Sequence, residues 1–175
     1  MMARRADTSR GLGARAASAG TPATVALARA GVAFTAHAYE HDPRTAAFGL
    51  EAAEKLGLDP ERVFKTLLAN VDGGLAVAIV PVAMQLDLKA LAQALGGKRA
   101  EMADPAVAER KTGYVVGGIS PIGQKTALPT VLDESAILFG SIYVSGGRRG
   151  LDLELAPDDL IAVTDGRYAP IARER

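Results

Sequence analysis

The stretch Val63-Phe64-Lys65-Thr66-Leu67-Leu68-Ala69-Asn70-Val71 constrains the fold more than any other part of the chain. It is a short apolar and β-branched run closed by the turn signal Asp72-Gly73-Gly74, and Leu75 to Val80 follows as its hairpin partner. Side chains alternate at period two along a strand, so Lys65 shares a face with Val63, Leu67, Ala69 and Val71. A lysine in an apolar layer is costly unless a partner or ligand compensates the desolvated ammonium. Two readings fit: Lys65 snorkels to water at the mouth of the strand, or it faces a site.

The flanking chain reads as short helices first and strands later. Thr21-Pro22 caps a helix over Ala23 to Ala30 that Gly31 ends, and Val32 to Tyr39 is a strand stopped by His41-Asp42-Pro43. Helices are expected over Thr45 to Leu56, over Leu88 to Leu95 behind Asp87, and from Asp104-Pro105 to Thr112-Gly113. Strands are expected at Tyr114–Val116, Thr130–Leu132, Ser141–Val144 and Leu151–Leu155, and Pro157-Asp158-Asp159 opens a last helix. Nineteen glycines are more than a helical bundle needs. The expectation is a single α+β domain, with a mixed, largely antiparallel, barrel-like sheet surrounded by short helices. Its bounds are 21–175, and residues 1–20 form a flexible basic extension carrying Arg4, Arg5, Arg10 and Arg15.

Composition removes several function classes. The chain has no cysteine, which excludes disulfides, thiolate zinc sites and a cysteine nucleophile. Basic and acidic residues number 20 each, so nucleic-acid contact must come from a local patch rather than a global field. No apolar run approaches a membrane span, so a cytoplasmic protein without a membrane partner is expected.

His37-Ala38-Tyr39-Glu40-His41 matches the H-x-x-E-H pattern of inverted zinc peptidases. That chemistry needs both histidines on one helical face, and Asp42-Pro43 leaves no room for a helix, so no metal site is assigned. No G-x-S-x-G is present, and Gly118-Ile119-Ser120-Pro121 has proline where a nucleophile elbow needs glycine. Two glycine-rich turns remain, Gly117 to Gly123 and Ser145 to Gly150. They are either ordinary connections or nests whose amides approach an anion or a carbonyl, with Arg148 and Arg149 suited to phosphate. Asp152 follows on a strand, sharing a face with Glu154 opposite Leu151, Leu153 and Leu155.

Five blocks together resemble the YbaK family: Tyr39 to Asp42, Val63 to Leu67, Gln85 to Asp87, Gly113 to Pro121 and Tyr143 to Asp152. These are bacterial aminoacyl-tRNA deacylases related to the editing domain of prolyl-tRNA synthetases, and the resemblance runs from about Thr21 to Arg175. It implies trans-editing: clearing cysteine from tRNA(Pro) or from tRNA(Cys), with Ala-tRNA(Pro) or another small amino acid as an alternative. A non-catalytic module gripping tRNA or a synthetase is a third reading. By resemblance, Lys65, Tyr39 and Asp152 are catalytic, and Gly117, Gly118, Ser120, Pro121, Ser145 and Gly147 bind substrate. Gly117 to Pro121 fits the family's G-x-x-x-P loop. The implied reaction needs no cofactor, because the substrate's own thiol attacks its ester and leaves as a thiolactone. The implied partners are the 3′ end of an aminoacyl-tRNA and prolyl-tRNA synthetase.

Overall fold

The computed structural model describes residues 20–175. The basic extension expected over residues 1–20 therefore lies, apart from Gly20, outside the described residues. Five helices are described: α1 (Pro22–Ala30), α2 (Phe48–Leu56), α3 (Leu88–Ala94), α4 (Pro105–Thr112) and α5 (Pro157–Thr164). The strands are β1 (Thr35–Ala38), β2 (Phe64–Val71), β3 (Gly74–Pro81), β4 (Gln85–Leu86), β5 (Ala100–Met102), β6 (Thr130–Asp133), β7 (Ile142–Ser145), β8 (Leu151–Leu155), β9 (Arg167–Ala169) and β10 (Ala172–Arg173).

Local chemistry sets most of the boundaries. The Thr21 hydroxyl accepts from Thr24 N at 3.2 Å, Asp87 accepts from Ala90 N at 3.0 Å, and Asp104 accepts from Ala106 N at 2.8 Å. Gly31, Gly57 and Gly113 end α1, α2 and α4 in the left-handed region. The β2–β3 hairpin forms with full register from Phe64↔Pro81 to Val71↔Gly74. Asp72 (φ 49°) and Gly73 (φ 87°) supply the two positive-φ positions of its turn. The Asp72 carboxylate is also held at 2.9 Å by both Lys98 N and Arg99 N, which brings β5 to the hairpin's tip.

The strands fall into three sheets, ordered β5-β2-β3-β6-β9, β1-β8-β7 and β10-β4. In the five-stranded sheet β3–β6 and β6–β9 run parallel and the rest antiparallel, so the sheet is mixed. A closed barrel does not form among the described residues. Among the described residues the backbones of the two larger sheets pair at a single parallel bridge, Val63↔Tyr143, and the edges β5 and β9 are three residues each. The hairpin is buried on both faces. Phe64, Leu68, Val77 and Ile79 pack with Leu27, Ile142, Leu153 and Leu160, whereas Ala69, Ala78 and Val80 pack with Leu91, Val131 and Ile171. Each such aliphatic side chain withdrawn from water contributes roughly 1.5–3 kcal/mol, which makes the hairpin the centre of stabilisation.

Some expected elements differ. The strand expected at Tyr114–Val116 is irregular. Its groups are taken by non-ladder partners: Tyr114 Oη donates to Ile122 O at 2.7 Å, and Val116 N donates to Glu109 Oε2 at 2.8 Å. The strand over Val32 to Tyr39 shortens to Thr35–Ala38, and the helix expected from Thr45 begins at Phe48, where no side chain caps it. No helix among the described residues is long and apolar enough to cross a membrane.

Candidate active site

Strand β2 pairs with β3 along its whole length, but β5 reaches it only at Ala69 to Val71. Between the Val63 bridge and Ala69, this edge of β2 has no strand beside it. A cavity of about 400 Å³ lies in the gap. Lys65, Thr66 and Leu67 line it from β2, Ser145 and Asp152 from β7 and β8, Tyr39 from the end of β1, and Phe48 and Gly49 from α2. Gly117 and Ile119 close one side, and Arg175 reaches the cavity after β10.

Of the expected site residues, the fold brings Lys65, Tyr39, Asp152, Gly117 and Ser145 to this one cavity. Gly118, Ser120, Pro121 and Gly147 are not among its lining residues. Ser120 is fully buried, its hydroxyl accepting from Ile122 N at 3.2 Å, and Pro121 lines a separate cleft beside α1. Gly147 packs on the Tyr114 ring, where a Cβ would come within 2.8 Å. These residues brace the loops behind the cavity. Arg175 and Phe48 are among the lining residues that sequence reasoning missed; Phe48 only acquires meaning once Gly117 is known to touch it.

The two glycine-rich turns pack on each other. A Cβ at Gly118 would meet Arg148 Cα at 2.8 Å, and Arg149 Nη2 donates to Val116 O at 2.7 Å. The Arg149 guanidinium also lies over the Phe48 ring, 5.0 Å from its centroid. At Gly117, φ is 87° and a Cβ would sit 2.8 Å from the Phe48 ring, so both backbone and packing demand glycine. Gly117→Ala is therefore expected to cost about 2–3 kcal/mol, part from the left-handed backbone and part from the displaced ring. Urea unfolding checks this, and Phe48→Ala in the same chain should return the packing part only. An unchanged midpoint in Gly117→Ala would contradict the geometry.

The cavity has two chemically distinct parts. Asp152 is 5% exposed, and burial alone pushes its carboxyl up to about 7. Burial, and next the Asp152 charge, pushes the Tyr39 phenol up to about 12, so Tyr39 is neutral at physiological pH. Lys65 lies apart from this pair: among the described residues no carboxylate stands within ion-pair distance of it. Burial lowers the Lys65 ammonium from its ordinary range, and Arg175 adds to the effect. The Thr66 hydroxyl beside it is buried without a hydrogen-bond partner. Gly49 lets α2 close over this region; a Cβ there would stand 2.5 Å from Val82 Cγ1 and 3.8 Å from Lys65 Cβ.

The two histidines go elsewhere. His37 Nε2 lies 3.0 Å from Glu154 Oε1, in a network with Ser141 and Arg62. His41 Nδ1 lies 2.7 Å from Glu51 Oε1, and Asp42 N donates to the other oxygen at 2.9 Å. Each imidazole thus has its own carboxylate, and neither lines the cavity. The hydroxyls that line it belong to Tyr39, Thr66 and Ser145.

Fold and cavity together define the class: a small α+β domain whose cavity is lined by a buried acid and by a lysine that has no ion-pair partner among the described residues. A family model described as the aminoacyl-tRNA editing domain matches residues 43–163. The chain is 45% identical over 120 residues to the "Putative Cys-tRNA(Pro)/Cys-tRNA(Cys) deacylase EbsC" of Enterococcus faecalis, covering 68% of this chain and 73% of that one. It is 30% identical over 100 residues to a proline–tRNA ligase of Maridesulfovibrio salexigens, covering 57% of this chain and 17% of the ligase. Among solved structures, "a putative trans-editing enzyme for prolyl tRNA synthetase" superposes with a TM-score of 0.71 at 26% identity, covering 80% of this chain and 87% of that one. The chain belongs to the aminoacyl-tRNA editing domain family.

Proposed function

We propose that this domain is a trans-editing deacylase that clears cysteine mischarged onto tRNA(Pro), with Cys-tRNA(Cys) as a second substrate. The observation that carries the reading is a cavity that holds Lys65 without an acidic partner among the described residues, yet presents no imidazole or thiol to attack an ester. Such a site suits a substrate that brings its own nucleophile. The similarity to EbsC supports the choice of cysteine.

In the proposed reaction the cysteinyl sulfur attacks the ester carbonyl carbon, forming the C–S bond of a thiolactone. The bond from that carbon to the ribose oxygen breaks, and the thiol proton ends on the released ribose hydroxyl. The protein's share is orientation and charge stabilisation. Lys65 holds the terminal nucleotide of the tRNA by its ribose or phosphate and so fixes the ester in place. The Gly117 amide has no acceptor of its own among the described residues and can donate to the developing oxyanion. The Gly118 amide is less suited, being spent on Val115 O at 2.9 Å. Asp152, half ionised near neutrality, can accept the thiol proton and return it to the ribose oxygen.

With equal numbers of acidic and basic residues, the chain gains little general attraction to bare tRNA. Delivery by prolyl-tRNA synthetase, in the cytoplasm where tRNA is charged, completes the proposal. The test is ester loss from tRNA(Pro) charged with cysteine, S-methylcysteine or alanine. Cysteine should be released well above the spontaneous rate, while S-methylcysteine stays attached. Equal release of the blocked analogue would replace thiol attack by hydrolysis, and preferential release of alanine would reassign the substrate. Tight tRNA binding with no release of any of the three would leave a binding module instead of an enzyme.

A further inference from the structure

Arg175 is an exposed residue whose side chain lines the same cavity as Lys65. Its position is imposed from just upstream. Asp133 Oδ1 accepts from Ile171 N at 3.0 Å and from Ala172 N at 2.9 Å, and Ile171 O accepts from Asp87 N at 2.7 Å. The Ile171 side chain is fully buried, and Ala172 and Arg173 pair with Leu86 and Gln85. The segment is thus clamped through its side chain and its backbone, and the clamp carries the Arg175 guanidinium to the cavity.

The result is two cations at one opening. Among the described residues neither Lys65 nor Arg175 has a carboxylate within ion-pair distance. At one opening, with no carboxylate in ion-pair distance among the described residues, they repel, and the Arg175 charge adds to the depression of the Lys65 ammonium. An anion between them removes that repulsion and gains charge-assisted hydrogen bonds from both. A guanidinium fork suits a tetrahedral phosphate, and it lies at the outer side of a cavity whose buried end carries Asp152.

We propose that Arg175 and Lys65 form a two-cation seat for the phosphate of the substrate's terminal nucleotide, which makes Arg175 a substrate-positioning residue. The inference rests on the deacylase reading for its substrate, but the seat can be examined without turnover. Adenosine 5′-monophosphate and adenosine differ only in the phosphate, so the ratio of their affinities for the full chain isolates the seat. The ratio should be about tenfold in the wild type, should fall to about two in Arg175→Ala, and should largely recover in Arg175→Lys. In parallel, Arg175→Ala should raise KM for the aminoacyl-tRNA about tenfold with little change in kcat. It should also reduce the slope of log KM against log salt by about 0.7, the value for one lost single-strand phosphate contact.

Equal affinities of the two nucleosides for the wild type would overturn the seat, as would their failure to bind at all. An unchanged ratio in Arg175→Ala would also overturn it. Faster turnover with a lower KM in that variant would show that Arg175 obstructs the opening instead. Phosphate discrimination without any deacylation would retain the seat and reject the enzyme. Deacylation without phosphate discrimination would do the reverse.

Discussion

Lys65→Met is expected to lose about 10²–10³-fold in kcat/KM on Cys-tRNA(Pro) and at the same time to melt at a higher temperature than the wild type. The first effect follows from removing the positive charge that positions the terminal nucleotide and with it the ester. The second follows from its surroundings: the ammonium is partly desolvated, and among the described residues no carboxylate lies within ion-pair distance to offset the cost. Methionine lines the same space without that cost; because the amine is partly open to water, screening reduces the gain to roughly 0.5 kcal/mol, or about 1–2 °C for a domain this size. The sign with pH is fixed by the lowered value in the folded state. Between the folded and the unfolded values of the lysine, the unfolded chain holds the extra proton, so wild-type stability rises with pH there. The stabilisation of Lys65→Met is accordingly largest at neutral pH and below, and shrinks in alkali. A variant that is both less stable and fully active would mean that Lys65 supports packing and not the site.

Asp152→Asn should be the stronger stabiliser above neutrality. The carboxyl moves from an ordinary 3.8 to about 7 on folding, a difference equivalent to about 4 kcal/mol. Below the unfolded value both states are protonated and burial of the acid carries no ionic cost. As pH rises from about 4 to about 7 the unfolded chain ionises while the folded one resists, so the wild type loses stability across that window. Asparagine has nothing to titrate. The gap between variant and wild type should therefore open from near zero at pH 4 toward about 4 kcal/mol at pH 8, near 10 °C in Tm. Melting curves at the two pH values decide this, and a gap independent of pH would refute the buried-acid description. If Asp152 also accepts the thiol proton, the wild-type pH–rate profile has an ascending limb centred near 7 that disappears in Asp152→Asn.

Both substitutions improve folding and damage the proposed chemistry, as expected where a site keeps groups that the fold alone would discard. Lys65 betrayed this in the sequence, because a lone charge in an apolar alternation stands out at period two. Asp152 was harder to read. The alternation in Leu151-Asp152-Leu153-Glu154-Leu155 marks one apolar face and says nothing about the other. In the fold Asp152 is buried, while Glu154 stays partly exposed and binds His37. The proline that follows the H-x-x-E-H segment is a local reason to expect no helix there. That its two imidazoles would take separate glutamates, one from α2 and one from β8, was beyond local inspection.

What the sequence determined by itself is the set of features decided within four or five residues. These are the Asp72-Gly73 hairpin, the caps at Thr21, Asp87 and Asp104, and the left-handed stops at Gly31, Gly57 and Gly113. Each is a contest between nearby backbone groups and one side chain, so its outcome is written locally. Only the tertiary structure decided the parallel pairing of β3 with β6, the short edges β5, β9 and β10, and the unpaired edge of β2 where the cavity opens. Strands of two or three residues have no stability of their own and exist because distant partners complete their hydrogen bonds. The same reason hid Arg175, which no spacing connects to Lys65. It reaches the same cavity because Asp133, the last residue of β6, holds the backbone at Ile171 and Ala172.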